Sequence, residues 1–130
     1  MVWISLEGSI GSGKTTVIQR LDREYSTGNL GIYREPVETW KPYLDLFYND
    51  QKRNAFLLQS RVNISFINIY NLVKNKESAI TERSSYSSQR VFASMLNNTG
   101  VMSNIEYQLS NELVDITQTK IPDYFIYLRT

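Results

Sequence analysis

The chain has 130 residues, 42% of them hydrophobic and 21% charged, with 14 Lys and Arg against 13 Asp and Glu. That length and apolar content exclude a disordered chain and predict a single domain over residues 1–130 with its own core. The near-neutral balance gives no electrostatic support for a nucleic-acid or membrane partner, and with neither His nor Cys there are no disulfides, no Cys/His metal sites and no His- or Cys-based triad.

In chain order, Val2–Leu6 is a short β-prone run without strict alternation, the signature of a strand buried on both faces of a parallel sheet. Residues 15–25 follow as a helix with Val17, Ile18 and Leu21 facing a core, then a loop at 26–31 and a brief strand at about 31–34 that Pro36 ends. A short helical pattern occupies 41–49. The longest helix runs from about 51 to 74, with the apolar ladder Leu58, Val62, Phe66, Ile69/Tyr70, Val73. A third strand is expected at 78–82, helices at about 84–97 and 102–119, and a fourth strand at 124–128 after Pro122-Asp123. Alternating strands and helices predict parallel β-α-β units and an α/β sandwich. The start of the chain has no basic, apolar leader and no run reaches the ~20 apolar residues of a membrane span, so a cytoplasmic location is expected.

Gly8-Ser-Ile-Gly-Ser-Gly-Lys-Thr15 matches G-x-x-x-x-G-K-[ST] in full, between an expected strand and an expected helix. Glycines let such a loop turn its backbone N–H groups onto phosphate oxygens. Lys14 is expected to reach the β/γ-phosphates, and the Thr15 hydroxyl to ligate Mg²⁺. The expected nucleotide contacts are Gly8, Ser9, Ile10, Gly11, Ser12, Gly13, Lys14, Thr15 and Thr16. This loop predicts a nucleoside-triphosphate site without naming the phosphate acceptor.

The acceptor side must lie at the carboxyl ends of the other strands. Glu35 follows the second strand and, in a chain without His, is the natural group to take a proton from an acceptor hydroxyl; a solvated glutamate before Pro36 is the plainer alternative. Glu82 and Arg83 end the third strand, where an acid can hold Mg²⁺ and a guanidinium can meet phosphate; an ion pair beside a Ser84 helix cap fits the same residues.

Three segments, GSIGSGKTT, EPVETW and ERSSYSSQRVFA, together with the terminal PDYFIYLRT, resemble the deoxynucleoside kinase family in order and over nearly the whole chain. This resemblance implies a P-loop three-layer α/β sandwich with a parallel sheet, and ATP- and Mg²⁺-dependent phosphorylation of a deoxynucleoside 5′-hydroxyl. It implies Glu35 as base, Arg83 on the hydroxyl and incoming phosphate, Lys14 on the β/γ-phosphates, and Thr15 with Glu82 for Mg²⁺. By the same resemblance Tyr48 contacts the sugar 3′-hydroxyl, Gln59 pairs with the base edge, Phe92 stacks on the base and Trp40 lines the pocket. Phe66 and Ser88 stand where members favouring deoxycytidine and purine nucleosides carry Arg and Asp; the uncharged pair points to pyrimidines, thymidine first. Partners are then small molecules, with a homodimer a family precedent.

Two departures stand out. Gln89-Arg90 replaces the usual Arg-Tyr, moving an arginine one position, or about 100°, around a helix. The family also continues past a fourth strand into an Arg-rich lid, a fifth strand and closing helices, so 1–130 is expected to hold four strands of five and no lid. Two alternatives remain: a thymidylate-type nucleoside-monophosphate kinase and a lidless, non-catalytic nucleotide binder.

Overall fold

In a computed structural model, which describes residues 2–8, 13–117 and 120–129, the element order is β1 (Val2–Glu7), α1 (Lys14–Tyr25), β2 (Leu30–Tyr33), α2 (Val37–Asn49), α3 (Gln51–Val73) and β3 (Ser78–Glu82). Then come α4 (Ser85–Ser87), a π-helical turn (Ser88–Ala93), α5 (Ser94–Asn98), α6 (Asn104–Thr117) and β4 (Tyr124–Tyr127). The residues form two compact units: 1–35, 68–84 and 120–130 make the sheet unit, and 36–67 with 85–119 the helical unit.

All four strands of the sheet unit pair in parallel, in the order β2-β3-β1-β4. Strand alternation sends Trp3 and Leu6 of β1 to opposite faces. On one face Trp3 and Ala79 pack with Tyr70 and Val73 from the end of α3, the Trp3 and Tyr70 ring centroids 5.7 Å apart. On the other, Leu6 and Ile32 pack with Ile18 of α1, flanked by Val17 and Leu21. Helices therefore cover both faces, as the apolar strands require. β4 is tied to β1 at its start: the Trp3 N–H donates to the Asp123 carboxylate at 2.8 Å, and the Asp123 N–H donates to the Trp3 carbonyl at 2.8 Å. That donated backbone bond holds the Asp123 carboxyl below its usual range.

The helical unit is built on α3, whose Leu58, Val62 and Phe66 are buried as the ladder predicts. Phe66 meets Trp40 of α2 edge-on at 5.9 Å between ring centroids, and the Trp40 indole N–H donates to Ser65 at 2.9 Å. Two local expectations need correction. Helix α2 begins at Val37 rather than 41 and runs through Pro42, which forgoes one backbone bond near the start while buried Trp40 and Phe47 hold the helix. The predicted continuous helix at 84–97 contains the π turn Ser88–Ala93, which re-aims the side chains of that stretch. Among the described residues, no helix is long and apolar enough to cross a membrane.

Candidate active site

Within the sheet unit the site grows from the carboxyl ends of β1, β2 and β3. β3 pairs with β1 up to Glu82 opposite Leu6, and the next N–H, that of Arg83, donates to the Leu6 carbonyl at 2.9 Å. The chain then turns sharply: Arg83 has φ 63°, the one non-glycine residue with positive φ among those described. Such a conformation costs a side-chain-bearing residue about 1–2 kcal/mol and persists only when neighbours impose it. Those neighbours are a buried chain of two bonds: the Trp3 indole N–H donates to the Thr81 hydroxyl at 3.0 Å, which donates to the Arg83 carbonyl at 2.7 Å. With its backbone so fixed, Arg83 donates through Nη2 to the Gly8 carbonyl at 3.1 Å and sets Nη1 3.6 Å from the Glu35 carboxylate.

Glu82 gathers the other pieces. One carboxylate oxygen accepts from the Thr15 hydroxyl at 2.8 Å, the other from the backbone N–H of Glu35 at 3.0 Å. The end of β3 thus joins the first turn of α1 to the residue pair following β2. Glu82 is 5% exposed and Glu35 8%, so the carboxylates work out of bulk water. Burial pushes the Glu35 carboxyl up to about 7, with Glu82 and Glu7 adding to the rise and Arg83 and Lys14 opposing it. Desolvation outweighs the ion pair because 3.6 Å is a loose contact while the carboxyl is nearly sealed.

Lys14 opens α1 and is buried; burial and the nearby Arg83 lower its pKa, while Glu35, Glu82 and Glu7 resist. Negative charge brought to this place relieves that strain. Gly13, immediately before, takes φ 92° at the helix N-cap without a side-chain cap, so the first-turn N–H groups of a 12-residue helix are not claimed by a capping side chain. A side chain at that φ is disfavoured, which accounts for the glycine. A helix start of this kind, with a buried ammonium, fits a triphosphate. The Thr15 hydroxyl and Glu82 carboxylate supply two hard oxygen ligands, which fits Mg²⁺ because that ion keeps waters and phosphate oxygens for its remaining positions. Thr16 is exposed on the same turn, and the expected contacts Ser9, Ile10, Gly11 and Ser12 lie outside the described residues.

The other expected residues belong to the helical unit. Trp40, Gln59, Phe66 and Ser88 are buried, Phe92 is half-buried, and Tyr48 is 70% exposed at the end of α2. Gln59 and Ser88 touch: Gln59 Nε2 is 3.1 Å from the Ser88 hydroxyl. The shifted arginine also finds its place: Arg90 is exposed over the Tyr86 ring, 4.5 Å from its centroid, and Gln89 takes the buried slot.

Sequence reasoning missed several contributors. Thr81 and Trp3, which brace Arg83, read as ordinary strand residues. Glu7 stands directly before the loop, held by a hydrogen bond from the Ser5 hydroxyl, and a carboxylate ending an apolar strand was a visible signal. Asn63, Gln89 and Ser110 are buried polar residues on helix faces whose neighbours are apolar, a signal of internal hydrogen bonding.

Residues 4–130 match the family of deoxynucleoside kinases. A fowlpox virus protein named "probable deoxycytidine kinase" is 35% identical over 135 aligned residues, covering 98% of this chain and 55% of the relative. The thymidine kinase of Ictalurid herpesvirus 1 is 34% identical over 102 residues (75% of this chain, 43% of the relative), and human mitochondrial thymidine kinase 2 is 27% identical over 135 residues (98% and 50%). The chain therefore spans about half the length of the curated relatives it matches.

Proposed function

Since the chain belongs to the deoxynucleoside kinase family, we propose that it carries the donor loop and acceptor machinery for moving the γ-phosphoryl group of ATP to the 5′-hydroxyl of a deoxynucleoside, thymidine first among the pyrimidines. The observation that carries this reading is Glu35: a buried carboxyl with a pKa of about 7, braced by Glu82 through its backbone N–H and facing Arg83. A group titrating near neutrality can accept a proton as the new bond forms.

In this reading the 5′-hydroxyl gives its proton to Glu35 as its oxygen bonds to the γ-phosphorus, and the bond to the β–γ bridging oxygen breaks to release ADP. Arg83 holds the hydroxyl oxygen and the transferring phosphoryl group through its two-pronged guanidinium. Lys14 and the N–H groups at the start of α1 carry the β- and γ-phosphate charge. Bound at Thr15 and Glu82, Mg²⁺ would neutralise charge developing on the phosphates. The reading assigns the base to Gln59, with Trp40, Phe66, Ser88 and Phe92 around it, and the sugar 3′-hydroxyl to Tyr48. A thymidine-accepting pocket is favoured by the neutral pair Phe66 and Ser88. Two identical subunits are consistent with family precedent.

The test is transfer of label from [γ-³²P]ATP to thymidine, deoxycytidine and thymidine monophosphate, in wild type and in Glu35→Gln. Labelled thymidine monophosphate from wild type, lost in the variant, is the expected result. Label passing only to the monophosphate, or a Glu35→Gln variant as fast as wild type, overturns the assignment.

A further inference from the structure

The helical unit holds a buried polar cluster that the reaction chemistry does not explain. Gln59 on α3 is fully buried, and its Nε2 faces three acceptors: Asn63 Oδ1 at 2.9 Å, Gln89 Oε1 at 2.9 Å and the Ser88 hydroxyl at 3.1 Å. A carboxamide nitrogen has two hydrogens, so these neighbours consume its donor capacity. The acceptors are themselves held. Asn63 Nδ2 donates to the Ser110 hydroxyl at 2.8 Å, Ser110 donates to Gln89 Oε1 at 2.9 Å, and Gln89 Nε2 donates to Asn111 Oδ1 at 2.7 Å. Turning the Gln59 amide over would set its oxygen against the oxygens of Asn63 and Gln89. Each bond of the ring thus opposes the flip.

The consequence falls on the other end of the amide. Gln59 Oε1 is buried and has no hydrogen-bond partner among the described residues. A buried acceptor left unmet is costly, and what satisfies it is a donor. A freely turning glutamine serves both pyrimidines, offering its oxygen to thymine N3–H or, turned over, to the cytosine amino group. A clamped one offers the acceptor in a single place.

We propose that Gln89 and Asn63 are positioning residues that clamp the Gln59 carboxamide in one orientation, so that it recognises a hydrogen-bond donor on the base edge and discriminates between the two pyrimidines. This rests on the kinase reading above, with Gln59 at the base. Gln89 stands where the resembling family carries an arginine, a donor-only side chain that could not make this clamp, so the arrangement belongs to this chain's own sequence.

The test compares kcat/KM for thymidine and deoxycytidine in wild type, Gln89→Leu and Gln89→Glu. Leucine removes the acceptor; glutamate keeps an oxygen facing Gln59 and Ser110. Wild type is expected to prefer one pyrimidine by about tenfold or more. The preference should collapse towards unity in Gln89→Leu and survive in Gln89→Glu, a rescue that a merely structural role does not predict. An unchanged preference in folded Gln89→Leu overturns the proposal. A second measurement needs no variant: solvent exchange of the Gln59 side-chain amide protons by ¹⁵N NMR. They should be protected relative to those of exposed Gln51 and Gln108. Free exchange in a protein that phosphorylates deoxynucleosides overturns the clamp alone. Protected protons in a protein that neither binds nor phosphorylates a nucleoside overturn the kinase reading, and with it the clamp's role in recognition.

Discussion

In the sheet unit ionisable groups are buried around the carboxyl ends of the strands: Glu35, Glu82 and Lys14 are each less than a tenth exposed, with Arg83 against Glu35. In the helical unit the buried polar residues are neutral and lie on helices: Gln59, Asn63, Ser88, Gln89 and Ser110 hydrogen-bond among themselves. The first arrangement stores its energy in desolvated charge, so it responds to pH and to incoming anions. The second stores it in directed donor–acceptor geometry, so it is indifferent to pH and responds to the pattern of donors on a ligand. Charge suits the handling of phosphate and protons; fixed neutral amides suit the reading of a base edge.

The largest effect is expected at Glu35. Glu35→Gln should lower phosphoryl transfer by on the order of 10²–10⁴-fold, measured by label transfer, with nucleotide binding retained by calorimetry. The same substitution has a pH signature in stability. The folded-state pKa of Glu35 is raised to about 7, so the native state holds a proton that the unfolded state has released. Wild type therefore loses stability as pH rises from the ordinary glutamate range through neutrality. Denaturant titrations should show Glu35→Gln gaining on wild type from about pH 5 to pH 8.

Thr81→Val probes the bracing beneath Arg83. It strands the buried Trp3 indole N–H and frees the Arg83 carbonyl, costing about 1–3 kcal/mol. Transfer should fall as well, because the strained Arg83 backbone loses its tether. A variant that is destabilised yet fully active would show that the Arg83 conformation does not depend on this chain of bonds. Ser110→Ala is the counterpart in the helical unit. It removes a hydroxyl that accepts from Asn63 and donates to Gln89, again costing about 1–3 kcal/mol. That loss should be the same at about pH 5 and pH 8, since no member of the ring titrates in this range. A pH-dependent loss would erase the contrast between the units.

The sheet unit was the more legible of the two in the sequence. Val2–Leu6 announces itself as a short apolar run and 78–82 as a short strand, and Glu35, Glu82 and Arg83 stand at strand ends, where an α/β sheet gathers ligands. The left-handed conformation of Arg83 was not legible, because the hydrogen bond on its carbonyl comes from Thr81, itself held by Trp3 on another strand. In the helical unit the α3 ladder was plain from its spacing, but its polar contents were not. Gln59 stood out through family resemblance, and its partner Gln89 comes from a segment 30 residues further along. The π turn hid it further, since periodic reading assumes a regular helix through Ser88–Ala93. The start of α2 was also missed: the expected helix at 41–49 already contained Pro42, but α2 begins at Val37, one turn earlier, and includes buried Trp40.

On the proposed reading burial poises Glu35 as a base near neutrality, which the pH dependence of kcat/KM for phosphoryl transfer to thymidine reports. A rising limb with an apparent pKa of about 7 is expected. A limb in the ordinary glutamate range, or a profile flat from about pH 5 to pH 8, would contradict it.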